Sequence, residues 1–370
     1  MYTVWGVLRP VMVFITSLLI VVGFVYYGID YVLQNYWLPA DKNDATPIQI
    51  EIPKGSSVSE IAEILEGNNL IRNADVFEYY IDFSGYRSKV KFGSYIFNKQ
   101  MTMQDIANRL SKGTDAATVT TFTVIEGLNI EQAAEKLLQD GIIPNKDHFL
   151  ELCRTGTEFL NYSFIAELDY EQEADRKYMM EGYLFPDKYE IYVGSSEETI
   201  IKKMLNKFGD VLNERLVARA DELGMTIDDV ITLASIIEKE AKPNDFAKVS
   251  AVFHNRIKQR MKLESCATAH YYLGYKKLKL SSEEISVNSP YNTYLYPGLP
   301  AGPICSPSAK AIEAALYPDE QFVIEGYLFF CTKDPQSGEL VFNITASEHQ
   351  KAVEQYEPLW REYDQQNSGN

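Results

Sequence analysis

Residues 50–77 recur at 122–149, and this duplication restricts what the chain can become more than any other feature. Ile50, Ile52, Gly55, Val58, Ala62, Leu65, Leu70, Ile71 and Phe77 fall on Phe122, Val124, Gly127, Ile130, Ala134, Leu137, Ile142, Ile143 and Phe149. The punctuation repeats with the apolar positions. Ser57 and Glu60 can form a capping box that becomes Asn129 and Gln132, and the helix-ending Asn69 becomes Gly141, two residues that tolerate a left-handed backbone. Each copy is predicted to be a strand, a capped helix and a short second helix, so the fold class is α+β. The first copy continues into a strand at Gly93 to Phe97 and a helix capped by Thr102 with Asp105, ending near Gly113. Such units bind or position a ligand, or act as plain spacers.

A second constraint is the stretch from Thr226 to Pro243. Thr226 can cap a helix with Asp229 three places on, and Pro243 forbids continuation beyond Lys242. Ile227, Val230, Ile231, Ala234, Ile237, Glu238 and Ala241 share one face at helical spacing, and Leu233 and Ile236 add a second apolar stripe. Glu238 is therefore predicted to point into a poorly solvated place. There, burial and the negative end of the helix dipole would raise its pKa, as a general acid requires. The alternative is a salt bridge from Glu238 to a buried Arg such as Arg256. Glu240 falls on another face and serves as the comparison residue.

The 370 residues leave room for two or three domains. With 35 basic against 52 acidic side chains, a net charge of −17, nucleic acid is disfavoured as a partner, because neutralising phosphates needs a basic surplus. Cys153, Cys266, Cys305 and Cys331 have no CxxC spacing and only four His are present, so no metal site or cofactor is expected. Cys266 and Cys305 form the candidate disulfide pair, with free buried thiols as the alternative.

Val11 to Ile29 carries no charge, and as a helix it would extend roughly 28 Å at ~1.5 Å per residue, close to a hydrocarbon core. It is read as an uncleaved transmembrane helix, since no small-x-small cleavage site precedes Asp30. Arg9 before it and Asp30 after it place the N-terminus in the cytoplasm. Tyr26, Tyr27, Tyr31, Tyr36 and Trp37 suit the outer interface.

Further on, one long amphipathic helix is expected from about Glu197 to Leu223, and another from Phe246 to Met261 with Asn255 and Arg256 flanking its apolar stripe and His254 on the surface. Residues 288–306 are too rich in Pro and Gly for a regular element. Tyr and Asn on such a stiff loop suit sugar recognition, because rings stack on pyranose faces and amides bond hydroxyl or acetamido groups.

Ala234-Ser-Ile-Ile-Glu-Lys-Glu240, Val252-Phe-His-Asn-Arg256, Ser289-Pro-Tyr-Asn-Thr293 and Gly298-Leu-Pro-Ala-Gly302 occur here in one order. Together with Glu181-Gly-Tyr-Leu-Phe-Pro-Asp187 upstream and the Phe342 to His349 stretch downstream, they resemble the endolytic murein transglycosylase family, the YceG-like or MltG proteins. The resemblance implies a single-pass protein of the plasma membrane with an extracytoplasmic catalytic domain. Its segments would be an N-terminus at 1–10, a transmembrane helix at 11–29, a linker at 30–46, a LysM-like module at 47–117, a second repeat at 118–155, a YceG-like catalytic domain at 156–362 and a polar tail at 363–370.

It also implies cleavage inside nascent peptidoglycan glycan strands, between N-acetylmuramic acid and N-acetylglucosamine, leaving 1,6-anhydro ends, with penicillin-binding synthases as further partners. The family's catalytic Glu carries over to Glu238, and Tyr291, Asn292, Thr293, Glu181 and Asn255 are the expected substrate-binding residues. Glu264-Ser-Cys-Ala-Thr268 departs from the family's Gln-Ser-Asp-Pro-Thr, so no role passes to Cys266. Glu264 would supply the second carboxylate of a hydrolytic muramidase. A non-catalytic wall-binding scaffold is the alternative from outside enzymology.

Overall fold

The computed structural model describes residues 12–23, 25–27, 38–42, 44, 46–113, 119–193, 195–277 and 280–367. Residues 12–23 and 25–27 are helical, and Phe14, Leu19 and Tyr27 are among their exposed side chains. The continuous piece 12–23 is about 18 Å long at ~1.5 Å per residue. Among the described residues no helix is long and apolar enough to cross a membrane, and part of the expected span 11–29 lies outside them. Residues 1–10, most of the 30–46 linker and residues 368–370 also lie outside.

The chain divides into two compact units. The first holds the described residues up to Thr120 with Tyr192–Ser196. Its elements are β1 (Ile48–Ile52), α1 (Val58–Gly67), α2 (Ala74–Phe83), β2 (Gly93–Phe97) and α3 (Met103–Lys112). β1 and β2 are antiparallel, with Ile50 opposite Tyr95 and Ile52 opposite Gly93. Alternation along β1 buries Ile50 and Ile52 and leaves Glu51 in solvent. The Ser57/Glu60 and Thr102/Asp105 capping boxes both form. Leu65, Phe77, Phe97, Ile106 and Leu110 make the centre of this unit's own core.

The second unit, Thr121–Ile191 with the residues from Glu197 onward, opens on the other copy of the repeat. It runs β3 (Val119–Thr123), α4 (Ile130–Gln139), α5 (Lys146–Thr155) and β4 (Lys188–Tyr192), the last paired with β3. Asn129 and Gln132 form the second capping box, and Asn69 and Gly141 take positive φ of 53° and 67° at matching places. The duplication goes further than the aligned residues. In each copy the first strand pairs with a later one that leads into a helix, so both are βααβα units, the second interrupted by residues 156–187.

That following helix is α6 (Glu197–Val211), and it ends where the periodicity suggested it would continue. Asn213 caps a separate helix, α7 (Glu214–Leu223), by accepting from Leu216 N–H. Then come α8 (Ile227–Glu240), α9 (Phe246–Lys258), α10 (Cys266–Leu273), α11 (Ala309–Leu316), α12 (Glu320–Glu325), the antiparallel pair β5 (Phe329–Asp334) and β6 (Glu339–Asn343), and α13 (Ala346–Asn367). α8 begins on the expected Thr226/Asp229 box, and every residue from Val230 to Ile237 is buried, because α9, α10 and α11 all pack on it. α9 stops at Lys258, with Arg260 at φ 56° reversing the chain. His254 is half-buried, its Nε2 2.8 Å from the Ala315 carbonyl, and is not the surface residue expected.

Candidate functional site

Glu238 sits in the last turn of α8, half-buried and less enclosed than its apolar face suggested. Its Oε2 accepts from Ser308 N–H at 2.9 Å and from Ser308 Oγ at 2.6 Å. Ser308 is also the N-cap of α11, accepting from Ala311 N–H at 3.2 Å. The acid therefore lies at the positive end of a helix, with both donors on one oxygen and Oε1 without a protein partner among the described residues. Arg256 does not pair with it. That guanidinium, on α9, donates to the carbonyls of Leu328, Lys262 and Leu263 and to Glu264 at 3.0 Å.

One wall beside Glu238 comes from the second repeat. Gly127 N–H donates to Ser306 O and Ser306 N–H to Leu128 O, both at 2.9 Å, and Lys239 Nζ donates to Gly127 O at 2.8 Å. A Cβ on Gly127 would lie 3.7 Å from Glu238 Cγ. The Pro/Gly-rich loop behind Ser306 is fastened to the middle of α8, where Ile304 N–H donates to Ser235 Oγ at 3.0 Å.

Glu181 is 1% exposed. Its carboxyl accepts from Ile130 N–H at 3.1 Å, at the start of α4, and from Tyr271 OH at 3.1 Å, on α10. Burial pushes its pKa up to about 8 against the lowering effect of these bonds. Gly182 follows at φ 90°, and a Cβ there would stand 2.6 Å from Pro303 and 2.8 Å from Ile231, so only Gly lets this segment press onto α8 and the Pro303 loop. Glu181 is thus an internal group and does not present itself to a ligand as expected.

The other expected binding residues are also turned inward. Asn292 donates to the Ile285 and Val287 carbonyls at 3.0 and 2.7 Å and accepts from Tyr294 N–H at 2.9 Å. Thr293 Oγ1 accepts from Ser265 N–H and pairs with Thr268 Oγ1 at 2.8 Å. Tyr291 is buried, its ring 4.8 Å from that of Tyr271. Asn255 donates to the Phe322 and Tyr327 carbonyls, apart from Glu238's partners. Amide and hydroxyl chemistry that suits a sugar suits a tight loop equally well, and here the backbone uses it. Tyr296 is the half-exposed ring of this loop.

Glu240 is no idle neighbour. Its Oε1 accepts from Ala267 N–H at 3.0 Å and from Ser265 Oγ, capping α10 where Ser265 makes no cap of its own. All four cysteines are free. Cys305 Sγ lies on the Ser235 carbonyl and Cys266 Sγ is 3.0 Å from Tyr294 OH, so the expected pair does not form. Ser308 was missed by sequence reasoning: the Ser-Ala-Lys start of α11 marks a cap, but nothing local connects it to a residue 70 positions earlier. A separate cavity of 910 Å³, among Met225, Asp229, His254, Tyr317 and Val323, lies toward the other end of α8 and does not include Glu238.

An α+β protein with a duplicated βααβα unit and a glutamate at the end of a deeply buried helix is the class these observations define. The chain belongs to the YceG-like family, whose model matches residues 50–355. An endolytic murein transglycosylase of Bacillus subtilis is 34% identical over 86% of this chain and 87% of its own length. One from Streptococcus pneumoniae is 31% identical over 79% of this chain, which spans 56% of that longer protein. The crystal structure of a putative YceG-like protein from Listeria monocytogenes aligns at TM-score 0.55 and 30% identity, covering 82% of this chain and 98% of that one.

Proposed function

We propose that this chain is an endolytic lytic transglycosylase of peptidoglycan, with Glu238 as its single acid and base. The observation that carries the reading is the pairing of Glu238 with Ser308 at the head of α11, which fixes Oε2 and leaves Oε1 for a ligand. The neighbouring carboxyls are engaged elsewhere, Glu240 with α10 and Glu264 with Arg256. That favours a one-carboxyl mechanism over a hydrolase, which uses two.

In this mechanism Glu238 gives its proton to the glycosidic oxygen as the bond to C1 of the muramic residue breaks. The C6 hydroxyl of the same residue then forms the new bond to C1, and the Glu238 carboxylate takes its proton, leaving a 1,6-anhydro end. The residue 291–293 loop shapes the sugar subsites through its stiffness, and Tyr296 offers the stacking face. Residues 47–117 act as a LysM-like glycan-holding module, and residues 11–29 anchor the chain in the plasma membrane with its N-terminus cytoplasmic. Nascent strands are the substrate and penicillin-binding synthases the neighbouring machinery.

The test is mass spectrometry of purified glycan strands after digestion by the wild type and by Glu238→Gln. Anhydro-ended fragments lost in the variant are expected. Reducing ends would indicate hydrolysis, and strands bound but uncut by the wild type would indicate a scaffold.

A further inference from the structure

Glu181 joins the start of α4 to α10 from its own segment beside the Glu238 site. Its carboxyl takes the first free N–H of α4 at Ile130, and that residue closes the Gly127–Leu128 loop clamped by Ser306 and Lys239. The same carboxyl meets Tyr271 of α10, whose ring leans on Tyr291 of the Pro/Gly-rich loop. The groups facing it are Glu131 on α4, Cys153 on α5, Tyr178 on its own segment, Tyr271, Tyr291 and Cys305. None is a cation. Burial opposes its charge most strongly and Glu131 adds to that, while the N–H donors of Ile130 at the α4 N-terminus and of Gly182 and the Tyr271 hydroxyl favour it.

We propose that Glu181 is a positioning residue of the Glu238 site that works as the neutral acid, holding the Gly127–Ile130 loop and Tyr271 in register, and that its ionisation loosens this wall. The physical reason is that burial at 1% exposure outweighs the donors around the carboxylate, so the ionised form gains by drawing in water or turning away, and either opens the packing of three segments at once. Glutamine has the shape of the neutral acid and cannot ionise. Alanine has neither the acceptor nor the volume. The inference rests on Glu238 being the acid of the reaction.

The experiment measures kcat and KM on purified glycan strands from pH 5 to 9.5 for the full chain, Glu181→Gln and Glu181→Ala, and follows the Ile130 amide shift by NMR over the same range. Expected is a fall in wild-type kcat of at least fivefold between pH 7 and 9, with the Ile130 shift moving through the same midpoint. Glu181→Gln should match wild-type kcat within twofold at pH 7 and lack both changes. Glu181→Ala should lose tenfold or more in kcat at every pH, with a smaller change in KM. The proposal is overturned if Glu181→Gln keeps the alkaline fall, or if the Ile130 amide does not titrate. Should Glu181→Ala fail to fold, the glutamine and NMR arms decide. If no form cleaves strands, the functional reading fails, and titration of the Ile130 amide with its loss in Glu181→Gln still judges the role of Glu181.

Discussion

Ser308 gives Glu238 two hydrogen bonds, and removing one of them is an informative change. Ser308→Ala deletes the hydroxyl donor and the α11 cap but keeps the backbone N–H. A hydrogen bond to a charged group contributes about 1.5–3 kcal/mol, so kcat/KM on glycan strands should fall roughly ten- to hundredfold. Ser308→Thr, which retains the hydroxyl, should restore most of it. Full activity in Ser308→Ala would show that Oε2 needs no such hold. Glu240 calls for a different pair of variants. Glu240→Gln keeps an oxygen for Ala267 N–H and Ser265, and should leave cleavage within a few-fold of wild type. Glu240→Ala uncaps α10 and should cost about 1–2 kcal/mol in urea unfolding. Equal stability of the two variants would remove Glu240 from the support of α10.

At the scale of elements, the ends of α8 show what local chemistry can specify. Thr226→Ala breaks a capping box whose two halves lie three residues apart, and should lower stability by about 1 kcal/mol with little effect on KM. Equilibrium denaturation checks this, and a change below a few tenths would mean the tertiary packing of α8 makes the cap redundant. The same locality explains what the sequence made legible. The duplicated strand–helix–helix units, their caps and the apolar face carrying Glu238 all follow from residues a few positions apart. Asn213 carried a local signal too, but apolar residues at helical spacing on both sides of it, Ile201 to Leu212 before and Leu216 and Ala220 after, hid the break between α6 and α7. What joins Glu238 to Ser308, and Glu181 to Ile130 and Tyr271, depends on contacts between residues 51 to 90 positions apart. Spacing within a segment cannot encode these. Asn292 and Thr293 show the converse, since a side chain suited to a sugar is equally suited to its own backbone.

The described residues form two hydrophobic cores with no residue in common, so unfolding of the molecule need not be a single transition. Calorimetry should resolve two, and only that of the second unit should respond to Glu181. The ordinary carboxyl value is 4.5 and the folded value about 8, so between these the native state holds a proton that the unfolded chain releases. The contribution is complete below about pH 4.5, declines by about 1.4 kcal/mol per pH unit as pH rises, and is lost above about 8. Burial lowers the pKa of His254 and His349, which works in the opposite direction, since the unfolded chain binds their protons more readily. Both histidines are present in Glu181→Gln, so the difference between the two proteins isolates the carboxyl. Relative to that variant, the wild type should lose stability in its second unit steadily from pH 5 to 8, while the transition of the first unit coincides in both. Parallel curves across this range would mean that Glu181 is already ionised in the folded protein, and would withdraw the neutral acid from the wall beside Glu238.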